Sequence, residues 1–202
     1  MEFVHQNKVI HRDLKLGNLF LTEKMQLKIG DFGLAAQVFY EGERKKTICG
    51  TPNYLAPEVL ENTNGHSYEV DYWSIGVILY TMLCGRPPFE SSEVKQTYQK
   101  IKAGQFSFPE SLDINPLAKG FIRDCLILDP SKRMNLQEML QHDFLCAAPL
   151  PKQLPVSTIT FPLADNFAFP YLLPDVQKSY NHKQQVFSPT PKSAQKTSSA
   201  MK

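Results

Sequence analysis

The sequence predicts a mainly α-helical lobe that carries one small β hairpin and is followed by an irregular tail. Three observations carry that expectation. Residues 70–84 are apolar almost all the way round a helix and stop at Gly85, with Pro87 and Pro88 beyond, the pattern of a core helix ended by a glycine. Two short apolar runs, 19–21 and 27–29, enclose a polar turn. After Phe144, prolines at 149, 151, 155, 162, 170, 174, 189 and 191 recur with neither helical nor strand period, and proline inside either element removes a backbone donor.

The elements follow in order. Residues 1–6 read as the last turns of a helix, and the apolar pair Val9-Ile10 leads straight into a polar loop at His11. Leu19-Phe20-Leu21 and Leu27-Lys28-Ile29 flank Thr22-Glu23-Lys24-Met25-Gln26, a hairpin that sets Asn18 at one end and Asp31 at the other. Residues 31–58 keep no steady period and hold Gly33, Gly42, Gly50, Pro52 and Pro57, so a long functional loop is expected there. In the central helix Val70, Trp73, Val77, Ile78, Leu79, Met82 and Leu83 leave almost no polar face. Ser91 or Ser92 is expected to cap a second helix with Val94, Tyr98 and Ile101 on one stripe. Asn115-Pro116 opens a third with Ala118, Phe121, Ile122 and Cys125, and Asn135 caps a fourth with Leu136, Met139 and Leu140.

These patterns divide the chain into a lobe at 1–145 and a Pro-rich to Lys-rich tail at 146–202. Phe161, Phe167, Phe169, Tyr171 and Leu172 suit the first part of the tail to packing on a surface or partner. Residues 177–202 contain no acid, so that stretch is expected to be disordered.

Composition narrows the partners. The 202 residues carry 22 Lys and Arg against 20 Asp and Glu, a formal charge of +2, so no strong field is available to hold nucleic acid or an anionic membrane. Neither partner is expected. Cys49, Cys84, Cys125 and Cys146 are too widely spaced for a zinc knuckle, and no signal peptide or long apolar run is evident. They read as reduced thiols of a cytosolic or nuclear protein, three of them filling the core.

Three strings carry the chemistry: His11-Arg12-Asp13-Leu14-Lys15-Leu16-Gly17-Asn18, then Asp31-Phe32-Gly33, then Ala56-Pro57-Glu58. With an ordinary pKa near ~3.9, Asp13 is ionised at neutral pH, a good acceptor for a hydroxyl and only a weak base. Lys15, two residues on, projects to the same side of an extended loop. Asn18 and Asp31 are hard oxygen donors of the kind magnesium prefers. Arg12 suits either a surface ion pair or a receptor for phosphate. Thr47 follows Arg44-Lys45-Lys46, and a phosphate there would add roughly −1.5 to −2 of charge for an arginine fork to bind.

In this order the strings resemble the catalytic loop and activation segment of the eukaryotic protein kinases. Within that family, residues 44–60 and 16–21 resemble the polo-like kinases, and the likeness runs over roughly residues 1–144. It implies the helical C-terminal lobe of a kinase domain acting on protein serine and threonine with ATP and Mg2+. It also implies roles for residues. Asp13 would orient the attacking hydroxyl, Lys15 would neutralise the γ-phosphate, and Asn18 and Asp31 would hold magnesium. Thr51 would tie the segment to Asp13 and Lys15, Glu58 and Arg133 would form a buried ion pair, and Asp71 would accept backbone N–H groups from the catalytic loop. His11 would pack the loop against Phe32.

The same resemblance implies a mitotic enzyme with acidic sequence around its target, an upstream activating kinase at Thr47, and work in cytoplasm, nucleus, centrosome or spindle. Ser188-Pro189 and Thr190-Pro191 suit proline-directed phosphorylation. Neither the glycine-rich loop and strand lysine of the family's ATP-binding lobe nor a polo-box module is present in these 202 residues, so a fragment with negligible activity alone is expected. The alternative is a non-catalytic short product that binds regulators or substrates.

Overall fold

A computed structural model describes residues 1–147. The expectations for the tail beyond them, including its aromatic stretch, its disorder and its Ser-Pro and Thr-Pro sites, lie outside the described residues. Helix α1 (Glu2–Gln6) runs into strand β1 (Val9–Ile10), then the hairpin strands β2 (Leu19–Leu21) and β3 (Leu27–Ile29), and then β4 (Ala36–Gln37). Six helices follow: α2 (Pro57–Glu61), α3 (Glu69–Cys84), α4 (Val94–Ala103), α5 (Pro116–Cys125), α6 (Leu136–Gln141) and α7 (Asp143–Cys146).

The molecule is organised around α3. Val70, Trp73, Val77 and Tyr80 are buried along it, and Trp73 stacks on Phe89 with ring centroids 5.4 Å apart. Gly85 ends the helix at φ 76, its N–H bonded to the Thr81 carbonyl, a left-handed stop that costs glycine little. Helix α5 packs against α3 where Gly76 faces Cys125: a Cβ on Gly76 would sit 2.5 Å from the Cys125 Cβ. No side chain fits there. In the last turn of α3 Cys84 stays buried while Met82 is 61% and Leu83 37% exposed, so the apolar sequence overstates the burial of that end.

The β pairs are small and antiparallel. β2 and β3 pair Leu19 with Ile29 and Leu21 with Leu27, and the Gly30 N–H closes the hairpin onto the Asn18 carbonyl at 2.9 Å. β1 pairs with β4 through Val9 with Gln37 and Ile10 with Ala36. Strand β4 of this second pair, a short 3-10 turn at Pro52–Tyr54 and the start of α2 at Pro57 all fall inside the stretch expected to be loop.

Two further expectations are corrected. Helix α4 is capped by Glu93 without a side-chain hydrogen bond, not by Ser91 or Ser92, and Thr97 and Ile101 are its buried residues. Cys84 and Cys125 are buried, whereas Cys49 is half-buried and Cys146 exposed, so two thiols fill the core rather than three. Burial pushes the Cys125 thiol well up from its usual range. Asn135 does cap α6, in a reciprocal arrangement with Glu138. No helix among the described residues is long and apolar enough to cross a membrane.

Candidate active site

The loop after β1 alternates its side chains. Leu14 is buried in the lobe, and Lys15 is fully extended at φ −160 and ψ 165, so Asp13 and Lys15 emerge on the same side. Lys15 Nζ donates to Asp13 Oδ2 at 2.6 Å and to Thr51 Oγ1 at 2.9 Å. Thr51 in turn gives Asp13 Oδ1 two hydrogen bonds, from its backbone N–H at 2.9 Å and its hydroxyl at 2.7 Å. Burial pushes the Asp13 carboxyl up, but the hydrogen bonds from Lys15 and Thr51 and the lysine charge outweigh it and hold the group below its usual range.

Thr51 reaches Asp13 because the segment before it lies directly on the loop that carries Asp13. Gly50 sits at φ 120, and a Cβ there would meet the Arg12 carbonyl at 2.8 Å. Only glycine permits that approach.

The loop is braced from below by Asp71, which is fully buried near the start of α3. Its Oδ2 accepts the His11 N–H and its Oδ1 the Arg12 N–H, both at 2.9 Å. Arg12 itself sits at φ 68, a conformation costly for a residue with a Cβ and held here by those bonds. His11 bonds the Gly30 carbonyl through Nε2 at 3.0 Å and lies 4.8 Å from the Phe32 ring. Among the described residues Arg12 makes no ion pair; its Nε donates to the Leu34 carbonyl at 2.6 Å.

Asn18 is buried, and its Nδ2 donates to the Asp13 carbonyl at 2.9 Å and more weakly to Asp13 Oδ2 at 3.4 Å. That fixes the amide and leaves Oδ1 as a neutral oxygen donor. Asp31 is exposed at φ 59, and its Oδ1 accepts the Gly33 N–H at 3.2 Å. One amide oxygen and one carboxylate suit magnesium, which takes few protein ligands and completes its shell with water and phosphate.

Glu58, in α2, meets Arg133 in a two-pronged pair, Nη1 to Oε1 at 2.7 Å and Nη2 to Oε2 at 3.0 Å. Arg133 also donates to the Glu69 carbonyl at 2.7 Å and lies over the Trp73 ring at 5.1 Å. Thr47 is exposed after Lys45, whose backbone bridges to His66.

Two residues went unnoticed in the sequence. His5 bonds Asp71 Oδ2 through Nε2 at 2.8 Å, and His66 is buried, its pKa lowered to about 4 by desolvation and then by the Arg12 charge. Nothing local marks either, because both acquire their partners through the packing of α3.

This arrangement is that of a protein kinase. The protein kinase domain model matches residues 1–145, and the chain belongs to that family. Within it the chain is of polo-like type. It is 52% identical over 198 residues to "Probable serine/threonine-protein kinase CCRP1" of Zea mays, covering 98% of this chain and 31% of that protein. It is 58% identical over 160 residues to "Probable serine/threonine-protein kinase PLK" of Dictyostelium discoideum, covering 79% of this chain and 16% of the relative. Against "Serine/threonine-protein kinase PLK1" of Xenopus laevis the identity is 53% over 161 residues, 80% of this chain and 26% of the relative. The chain thus spans under a third of the length of each of these curated relatives.

Proposed function

We propose that this chain carries the phosphoryl-transfer half of a polo-like serine/threonine kinase that modifies protein hydroxyls in cell-cycle control. The observation that carries the reading is the double grip of Lys15 and Thr51 on Asp13. A carboxylate held ionised and fixed in direction is what an incoming alcohol needs for alignment. Asp13 orients that hydroxyl and accepts its proton as the new O–P bond forms and the bond to the departing nucleotide breaks. Lys15 supplies positive charge beside it. Asn18 and Asp31 are the residues that would hold Mg2+-ATP, which would supply the phosphoryl group and neutralise its developing charge.

Protein substrates with acidic residues near the target, an upstream kinase acting on Thr47, and work in the cytoplasm, nucleus, centrosome or spindle complete the reading. Arg12 is its candidate receptor for the phosphate on Thr47, and Glu58, Asp71 and Arg133 serve as structural anchors. An apolar recess of about 520 Å³ lined by Phe3, Val9, Leu27, Ile29 and Phe32 offers a seat for an ATP-binding lobe. Since the 202 residues contain no glycine-rich loop or strand lysine, their own turnover is expected to be negligible.

The test assays residues 1–202 with Mg-ATP and an acidic serine peptide, alone and joined downstream of a kinase ATP-binding lobe. Turnover is expected only in the joined form, and only with Asp13 intact. Turnover by the chain alone at the rate of an intact kinase would overturn the division of labour. None in the joined form would overturn the kinase reading.

A further inference from the structure

Beyond the catalytic loop lies a second, differently charged recess. Gly85 stops α3, and the turn Arg86-Pro87-Pro88-Phe89-Glu90 is stiffened by its prolines and pinned by Phe89, which is fully buried. That rigid turn holds Arg86 out of the core. Arg86 makes no hydrogen bond or ion pair among the described residues and is exposed. Beside it is a cavity of about 420 Å³ walled by Tyr80, Pro88 and Phe106, with Arg86 and Lys100 in its lining.

The polar groups there are unevenly committed. Lys100 Nζ gives one hydrogen bond, to the Glu90 carbonyl at 2.9 Å, and an ammonium has two more N–H groups to give. The Tyr80 hydroxyl is already spent on the Ser107 carbonyl at 2.7 Å. Glu90 supplies the single carboxylate in the lining. A third cation stands close by: Lys119 Nζ lies 5.8 Å over the ring of Phe108, which packs edge-on against Phe106 of the lining. Two cations and one acid therefore line the recess, beside aromatic and proline walls that exclude part of the water and strengthen any pairing.

The recess also adjoins the catalytic loop. Tyr54, three residues after Thr51, packs on the core cluster that includes Phe89, and its carbonyl accepts the Ser74 hydroxyl of α3 at 3.2 Å. Through Phe89 the turn that carries Arg86 and Glu90 thus packs into the same core cluster as the segment that holds Thr51 on Asp13.

We propose that Arg86 and Lys100 form a subsite for an anionic side chain, carboxylate or phosphate, of a peptide whose hydroxyl lies at Asp13. This assignment rests on the kinase reading for the identity of the ligand, but its recognition step needs no nucleotide. An arginine free of partners can take either oxyanion in two-pronged fashion.

The experiment measures fluorescence anisotropy of labelled serine peptides with the 202-residue chain in the absence of ATP. The peptides carry aspartate, phosphoserine, asparagine or lysine at the flanking positions. The aspartate or phosphoserine peptide is expected to bind about 3- to 10-fold tighter than the asparagine peptide. Arg86→Ala should erase that preference, Arg86→Glu should shift it toward the lysine peptide, and Lys100→Met should weaken it, with far-UV circular dichroism unchanged. A larger gain for phosphoserine than for aspartate would identify phosphate as the preferred anion and support the subsite. Equal binding of aspartate and asparagine peptides, with no gain for phosphoserine, would overturn it. So would a preference that survives Arg86→Ala, or one that Lys24→Ala on the hairpin turn abolishes equally. The two readings fail separately: acid preference that persists while the joined enzyme with Asp13 intact shows no turnover sustains the subsite and sinks only the kinase reading.

Discussion

Asp71 and Arg12 are 59 residues apart in sequence, yet the Asp71 Oδ1 accepts the Arg12 backbone N–H at 2.9 Å. The bond falls at the catalytic-loop residue whose φ is 68, so a buried carboxylate on α3 sets the backbone on which Asp13 is mounted. Asp71→Ala is expected to destabilise the lobe by roughly 3 to 5 kcal/mol, because it strands buried donors. Asp71→Asn should cost less, roughly 2 kcal/mol, since one amide oxygen remains. Urea denaturation followed by circular dichroism measures both, and a loss below about 1 kcal/mol for the alanine variant would contradict the brace.

Arg133→Met leaves the Glu58 carboxylate without its partner in a largely buried setting. A loss of roughly 3 to 5 kcal/mol is expected. The double variant Arg133→Met, Glu58→Leu should recover part of it, since no lone charge remains. A strictly additive cycle in urea would show that the two side chains do not act as a pair.

His66 gives the lobe a pH dependence of known sign. Its folded pKa of about 4 lies below the usual 6.5, so between those values the unfolded chain binds more protons and stability rises with pH. Stability is expected to fall by roughly 2 to 3 kcal/mol as pH drops from 7 to 4 through this group. His66→Phe should flatten that slope in urea titrations at stepped pH. An unchanged slope would assign the dependence elsewhere.

Asp13 adds a pH dependence of the same sign. Its carboxyl is held below the usual carboxylate value, so the charged form stabilises the fold above the unfolded pKa, and that contribution fades as pH falls through the folded one. Thr51→Val removes the hydroxyl hydrogen bond to Asp13 Oδ1 and should raise the Asp13 pKa toward its usual range. Carbon-13 titration of the Asp13 carboxyl reads the shift directly, and a pKa unchanged in Thr51→Val would remove Thr51 as a cause.

Local pattern carried much of this architecture. The run from Val70 to Cys84, the hairpin around residues 22–26 and the asparagine caps at 115 and 135 are each set by neighbours in sequence, and each is present in the fold. The order of the motifs likewise fixed the attention on Asp13, Lys15, Asn18, Asp31 and Thr51. Features created by distant packing were harder to read. The two-residue strand β4 exists because Ala36 and Gln37 find β1 as a partner, and neither residue signals a strand by itself. Glu93 rather than a serine precedes α4, and it makes no side-chain cap bond that would mark it in the sequence. The exposure of Met82 and Leu83 reflects where neighbouring elements stop, which the residues of α3 cannot encode. His5 joins the catalytic-loop brace from 66 residues away.

The Glu58–Arg133 clamp spans 75 residues of chain, and this matters while the polypeptide is being made. At about 5 to 20 residues per second, the ribosome adds Arg133 roughly 4 to 15 s after Glu58. Until then the nascent segment has a carboxylate without its guanidinium. Translation order therefore makes the clamp a late event: α2 is tied down only after residues 1–133 of the lobe have been synthesised.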